Sequence, residues 1–189
     1  MTRLLNSDDS YGLVAVVLHW LIAVGVIAMF ASGLWMTTLD YYHPWYHRAP
    51  ALHGSCGLAV ALAVLLRLLW SLASRSPRPL AGRLFTAMAR LTHALLHLLP
   101  LLAACSGYLM VTADGKGAAF FSLFELPPLL DAQSERADIA GRFHLWLAWS
   151  LMLLSLAHAA AAIYHQLVLR DNALLRITGC SCSSRGERQ

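Results

Sequence analysis

The chain has 189 residues, of which 58% are apolar and 13% charged, with a formal net charge of +4 and a mean hydropathy of +0.58. An average soluble domain is about 25% charged, so this is the composition of a membrane protein. The arginines gather in particular connections, so the basic pI of about 9.1 follows from topology and gives no support to nucleic-acid binding.

Four apolar stretches, 12–36, 51–73, 87–112 and 139–168, each reach the ~20 residues needed to cross ~30 Å of hydrocarbon. The first is too long for a signal-peptide core and runs into "MTTLDYYHPWYHRAP" without a small-residue cleavage site, so it reads as a retained helix. Pro44 and Pro50 precede the second stretch, "SPRP" closes it, and Pro127 and Pro128 lie in the long third connection. Pro100, inside the third stretch, predicts a kink that neighbouring helices tolerate. Repeats and the strand alternation of a membrane barrel are missing. The expected architecture is an all-α membrane protein, a single four-transmembrane-helix bundle over 1–178 with a polar tail at 179–189.

Orientation is read from the connections. Arg75, Arg78, Arg83 and Arg90 stand in the second without an acid, and the tail carries Arg170, Arg176, Arg185 and Arg188. Both are therefore expected on the cytoplasmic side, as are both termini. The first and third connections set Arg48, Lys116, Arg136 and Arg142 against Asp40, Asp114, Glu125, Asp131, Glu135 and Asp138, and belong outside.

The four cysteines give no framework. Cys56 and Cys105 lie within spans, where packing explains them, and Cys180 and Cys182 form half a metal motif with no second pair. No Cys-x-x-Cys-His occurs, which excludes covalent c-type haem attachment by motif.

Histidines at membrane depth are costly and usually face a bundle interior in a functional role. His144 and His158 are fourteen residues apart, which returns them to within about 40° of one helix face and separates them by about 21 Å. With alternating helix directions, His53 comes level with His144 near the outer surface, and His19 comes level with His158 near the inner one. Two imidazoles on facing helices suit a low-spin haem iron with no position left for substrate, hence one-electron relay. His93 stands at the inner depth too and competes with His19 for His158; spacing leaves that choice open.

Other polar groups fit the arrangement. Gly57, four residues after His53, leaves room for a porphyrin. Arg67 is expected either on an inner haem propionate or snorkelling to the lipid surface, and Arg142 beside the outer haem. His165, seven residues after His158, reaches the cytoplasmic interface, where a proton-exchanging group is useful. "HALLH", with His93 and His97, imitates a zinc pair but lacks the intervening acid. His43 and His47 read as interfacial loop residues, and Trp20, Trp35, Trp146 and Trp149 as interface or packing residues.

The segments "LHWLIA", "LHGSCGLAVALAVLLRL", "THALLHLLPLL" with "SGYLM", and "GRFHLWLAW" followed by "LAHAAAAIYH" and "RDNALLRI" together resemble the bacterial cytochrome b561 family. The resemblance spans about residues 10 to 178. It implies a diheme b-type protein of the bacterial inner membrane, with His19 and His158 as axial ligands of the inner haem b. His53 and His144 are then the ligands of the outer haem, and His93 matches a third-helix histidine near the inner one. His97 has no place in the family pattern. The resemblance further implies exchange with ubiquinone and, as a standalone activity, superoxide oxidation at the outer face.

A cationic outer surface favours an anionic donor, yet these outer connections hold more acids than bases. The leading expectation is a membrane oxidoreductase passing electrons from an outer one-electron donor to ubiquinone, the quinone sitting near His93, Arg67 and His165. The alternative is a non-catalytic cytochrome b subunit relaying electrons for a partner dehydrogenase or reductase. A metal or proton transporter is third, since the helix interiors hold no acidic partners.

Overall fold

A backbone buried in hydrocarbon can satisfy its N–H and C=O groups only within its own segment, and the four apolar runs accordingly become helices. In the computed structural model, which describes residues 4–7, 10–75, 82–170 and 173–178, these are α1 (Leu13–Met36), α2 (Arg48–Ala73), α3 (Arg83–Val111) and α4 (Ser134–Tyr164). All are long and apolar enough to cross a membrane. "SPRP", Arg78, Arg185, Arg188, Cys180, Cys182 and the tail 179–189 lie outside the described residues.

Three helices begin earlier than their hydropathy indicates. In α2, Pro50 is not a preceding residue but part of the first turn, where its missing N–H would have no intrahelical partner anyway. Helix α3 takes in Arg83, and α4 takes in Glu135, Arg136 and Asp138, because a polar helix end projects into the headgroup region at no cost. Helix α3 continues through Pro100, which is buried. Beyond Tyr164, α4 widens into one π turn, His165–Leu169, that ends on Arg170 in the left-handed conformation (φ 54°).

Burial is inverted relative to a soluble bundle. The buried positions are mostly small, among them Ala15, Val16, Val26, Ala49, Ser55, Ala61, Ala63, Val64 and Ser106, with Leu151 and Pro100 the larger exceptions. Leu, Phe and Trp side chains such as Leu69, Leu72, Phe143 and Trp146 face outward. Lipid is as apolar as leucine, so the helices associate through close packing of small residues. Gly25 shows how close: a Cβ there would stand 2.8 Å from Val60 Cγ2 of α2. Helices α3 and α4 pack most extensively, then α1 with α2 and α2 with α3, while α1 and α4 touch sparsely.

The third connection, read from sequence as a loop, contains an antiparallel hairpin, β1 (Ala118–Phe120) and β2 (Phe124–Leu126), with Ala118 opposite Leu126. Its strands are too short to show alternation. Ser55 of α2 anchors it: the buried hydroxyl donates to Ala51 O at 2.9 Å, lies 3.2 Å from Ala119 O and accepts the Phe121 N–H at 3.0 Å. Tyr108 of α3 also donates to Pro127 O. At the opposite end, a short helix α5 (Ala173–Ile177) crosses the start of α1, where Trp20 Nε1 donates to Ile177 O at 3.2 Å.

Candidate functional site

The four-helix arrangement brings the span histidines together in two groups. On one level, His53 of α2 meets His144 of α4, with ring centroids 6.2 Å apart. On the other, His19 of α1 meets His158 of α4 at 6.4 Å, and His93 of α3 approaches the same His158 at 5.3 Å. Helix α4 thus serves both groups from one face, as its fourteen-residue spacing requires.

These separations test whether a metal centre fits. Two imidazole–metal bonds of about 2 Å each, with about 1 Å from each ligating nitrogen to its ring centre, separate two centroids by about 6 Å. The pairs at 6.2 and 6.4 Å have the room for one iron between them. At 5.3 Å, His93 and His158 are closer than that geometry asks.

The His53–His144 level has a further feature that hydropathy and histidine spacing did not reveal. His144 Nδ1 lies 2.9 Å from Ala103 O and 3.2 Å from Ser106 Oγ, both on α3. A carbonyl only accepts, so Nδ1 carries the proton. Ser106 gives its own hydroxyl proton to Ala103 O at 2.9 Å, which leaves its oxygen as an acceptor. His53 repeats the pattern on α1. Ser32 donates to Met29 O at 3.0 Å, and its oxygen lies 2.9 Å from His53 Nδ1, which therefore donates. In both rings Nε2 is left with its lone pair for a metal.

The residue after each serine is glycine. A Cβ at Gly107 would stand 3.3 Å from His144 Cε1 and Nδ1, and one at Gly33 3.4 Å from His53 Cε1. Each ring therefore rests on a Ser-Gly step of the neighbouring helix, the serine binding it and the glycine letting it approach. The repeated dipeptide, Ser32-Gly33 and Ser106-Gly107 near corresponding ends of α1 and α3, is the sequence signal that would have pointed to these positions. Gly57, expected to leave a porphyrin room, faces the flexible terminal methyl of Met29, 3.2 Å from where its Cβ would be.

At the other level, Arg67 turns inward. Its guanidinium donates to Ala15 O at 2.8 Å, one turn before His19 on α1, and its charge is within coulombic reach of His19, His93 and His158. Lipid snorkelling, the alternative weighed from sequence, is not the conformation it adopts. His97 points back along its own helix: its Nδ1 lies 2.6 Å from His93 O and so donates, while Nε2 is buried without a hydrogen-bond partner among the described residues. His165 opens the π turn, its ring edge-on to Tyr164 at 6.5 Å. Arg142 is exposed. Between α1 and α2, His43 packs edge-on to Trp35, and His47 packs with Tyr41 and Tyr46, residues of the kind an interfacial belt uses.

The family model described as "Prokaryotic cytochrome b561" matches residues 10–179. The chain belongs to that family. It is 42% identical over 185 residues to "Cytochrome b561 homolog 2" of Escherichia coli (strain K12), covering 96% of this chain and 97% of that protein. It is 29% identical over 170 residues to "Probable superoxide oxidase CybB" of Yersinia pestis, covering 88% of this chain and 94% of that one. As a prokaryotic cytochrome b561 it is a membrane electron-transfer protein of a family that binds b-type haem, and the mostly helical four-span fold agrees with this.

Proposed function

We propose that the chain is a diheme relay: His19 and His158 ligate one haem b, His53 and His144 the other, and electrons pass between a one-electron donor and ubiquinone. The observation that carries this reading is the pair of centroid separations, 6.4 and 6.2 Å, each the span of two imidazoles about one iron. The 5.3 Å approach of His93 to His158 favours His19 as the ligand and leaves His93 beside the centre. When bound, haem supplies reversible one-electron iron chemistry. The chain's residues supply the rest. His53 and His144 present Nε2, Gly57 with the displaceable Met29 methyl gives the macrocycle space, and Arg67 offers a cation to a propionate. The bundle sits in the bacterial inner membrane with both termini cytoplasmic, on the arginine bias of its connections, so His53 and His144 belong to the outer haem.

Quinone reduction takes two electrons and two protons, which calls for a site beside a haem edge, open to lipid, with groups that exchange protons near neutral pH. His93, Arg67 and His165 at the cytoplasmic end meet those needs. Superoxide is the donor suggested by the Yersinia relative's name; the Escherichia relative's name carries no activity, which keeps the relay-subunit reading as the alternative.

One set of measurements tests all of this. Purified wild type is expected to be red and to carry two non-covalent haems. His19→Ala, His53→Ala, His144→Ala and His158→Ala are each expected to lose one, and a colourless protein purified with ample haem refutes the reading. Loss of a haem in His93→Ala, with two kept in His19→Ala, reassigns the ligand. Reduction of ubiquinone by superoxide without partner proteins establishes the enzyme over the relay subunit. If His93→Gln or His165→Gln keeps both haems but loses quinone reduction, the quinone site stands; wild-type rates in both place the quinone elsewhere.

A further inference from the structure

The two histidine levels differ in what surrounds the ligands. Both rings of the His53–His144 pair donate Nδ1–H to an oxygen of the helix they rest on, His53 to Ser32 Oγ at 2.9 Å and His144 to Ala103 O at 2.9 Å with Ser106 Oγ at 3.2 Å. Among the described residues, the rings of His19 and His158 make no hydrogen bond, and a guanidinium sits one turn from His19 instead. An imidazole that donates its N–H to an oxygen becomes a more basic ligand at Nε2, which stabilises ferric over ferrous iron. A nearby fixed cation does the reverse, favouring the state with less positive charge.

We propose that these side chains build a potential step into the bundle, the His53–His144 centre lying below the His19–His158 centre, so that electrons run from the first to the second. The inference rests on the diheme reading and adds to it a direction set by the protein. In each transfer one iron goes from ferrous to ferric and the other from ferric to ferrous. A one-electron donor such as superoxide refills the first centre, and a quinone taking two electrons and two protons empties the second. Ser32, Ser106 and Arg67 are positioning residues, acting through the ligands and the field at the iron.

The test is a spectroelectrochemical titration of the purified holoprotein, with the one-haem variants His53→Ala and His19→Ala assigning the two transitions. Ser32→Ala removes the sole oxygen partner of the His53 ring among the described residues and is expected to change the ferric-to-ferrous binding ratio about tenfold. That raises the His53–His144 potential by about 59 mV and leaves the other centre unmoved. Ser106→Ala is expected to move the same centre less, since Ala103 O still accepts from His144. Ser32→Thr keeps the hydroxyl and is expected to restore the wild-type potential, which repair of packing alone does not require. Arg67→Gln is expected to lower the His19–His158 potential. The proposal is overturned if the His53–His144 centre titrates above the other in wild type. It is also overturned if Ser32→Ala or Arg67→Gln, with both haems bound, leaves its own centre in place or shifts both centres equally. Should Ser32→Ala shed its haem, the Ser106→Ala and Arg67→Gln shifts decide in the same terms. A wild type without haem is a different failure, that of the diheme reading, and is seen before any titration begins.

Discussion

Gly107→Ala is a one-carbon change whose consequence can be worked out from the seat of His144. The added Cβ would stand 3.3 Å from both Cε1 and Nδ1 of the ring, tighter than ordinary carbon contact, so the ring has to retreat by a few tenths of an ångström. It has little freedom to do so, because Nδ1 is tethered to Ala103 O at 2.9 Å and Ser106 Oγ at 3.2 Å on the same helix as the glycine. Metal–nitrogen bonds hold within about 0.2 Å of their preferred length, so if His144 ligates a haem as proposed, that displacement would come out of the bond to iron. Disturbing a ligand's support typically costs about 10- to 100-fold in metal affinity, or roughly 1.4 to 2.8 kcal/mol. The assay is the haem-to-protein ratio, measured as a pyridine haemochrome after purification under limited haem supply. On the proposed diheme reading, the ratio is expected to fall from two toward one, the His19–His158 level being about 21 Å away along α4 and unaffected. Gly33→Ala is the internal contrast: its Cβ lies 3.4 Å from His53 Cε1, an ordinary contact, and both haems are expected to stay. Wild-type haem content in Gly107→Ala under limiting haem, or greater damage from Gly33→Ala, refutes the reasoning.

Ser55→Ala should leave the Phe121 N–H without its acceptor in a part-buried place, a cost of about 1 kcal/mol, the low end of the penalty for an unpaired buried group. The expected sign is faster hydrogen exchange over residues 118–126 with α2 still protected; unchanged exchange there would show that the hairpin is held by other contacts. Gly25→Ala places a carbon 2.8 Å from Val60 Cγ2 and is expected to destabilise the bundle by about 1–3 kcal/mol through overpacking of α1 on α2. Val60→Ala in the same chain should recover most of that loss, and purely additive losses in the double variant would place the strain elsewhere.

How much of this was written in the chain itself differs from residue to residue. Four long apolar runs leave only helices or a barrel available in lipid, and their unbroken apolar character decides for helices, so the architecture was legible without coordinates. The pairing of levels was legible too, because a helix has a fixed rise and rotation per residue: the fourteen-residue interval on α4 and the alternating directions bring His53 beside His144 and His19 beside His158. Helix ends were less so, since hydropathy stops at the first charge while the backbone continues through polar turns in the headgroup region, as at Arg83 and Ser134. The 118–126 hairpin escaped because three-residue strands carry no period; it exists through a serine sixty-six residues before Phe121. The proposed preference for His19 over His93 rests on about 1 Å of ring separation, 6.4 against 5.3 Å, which the relative placement of three helices determines and no spacing along one helix can. The same holds for the Ser-Gly seats. Ser32 and Ser106 read as ordinary small polar residues of a span until α1 turns one against His53 and α3 turns the other against His144. Periodicity fixes the depth and face of each side chain along its own helix. Which nitrogen keeps its proton, and which ring has a carbonyl behind it, is decided only when a second helix arrives at hydrogen-bonding distance.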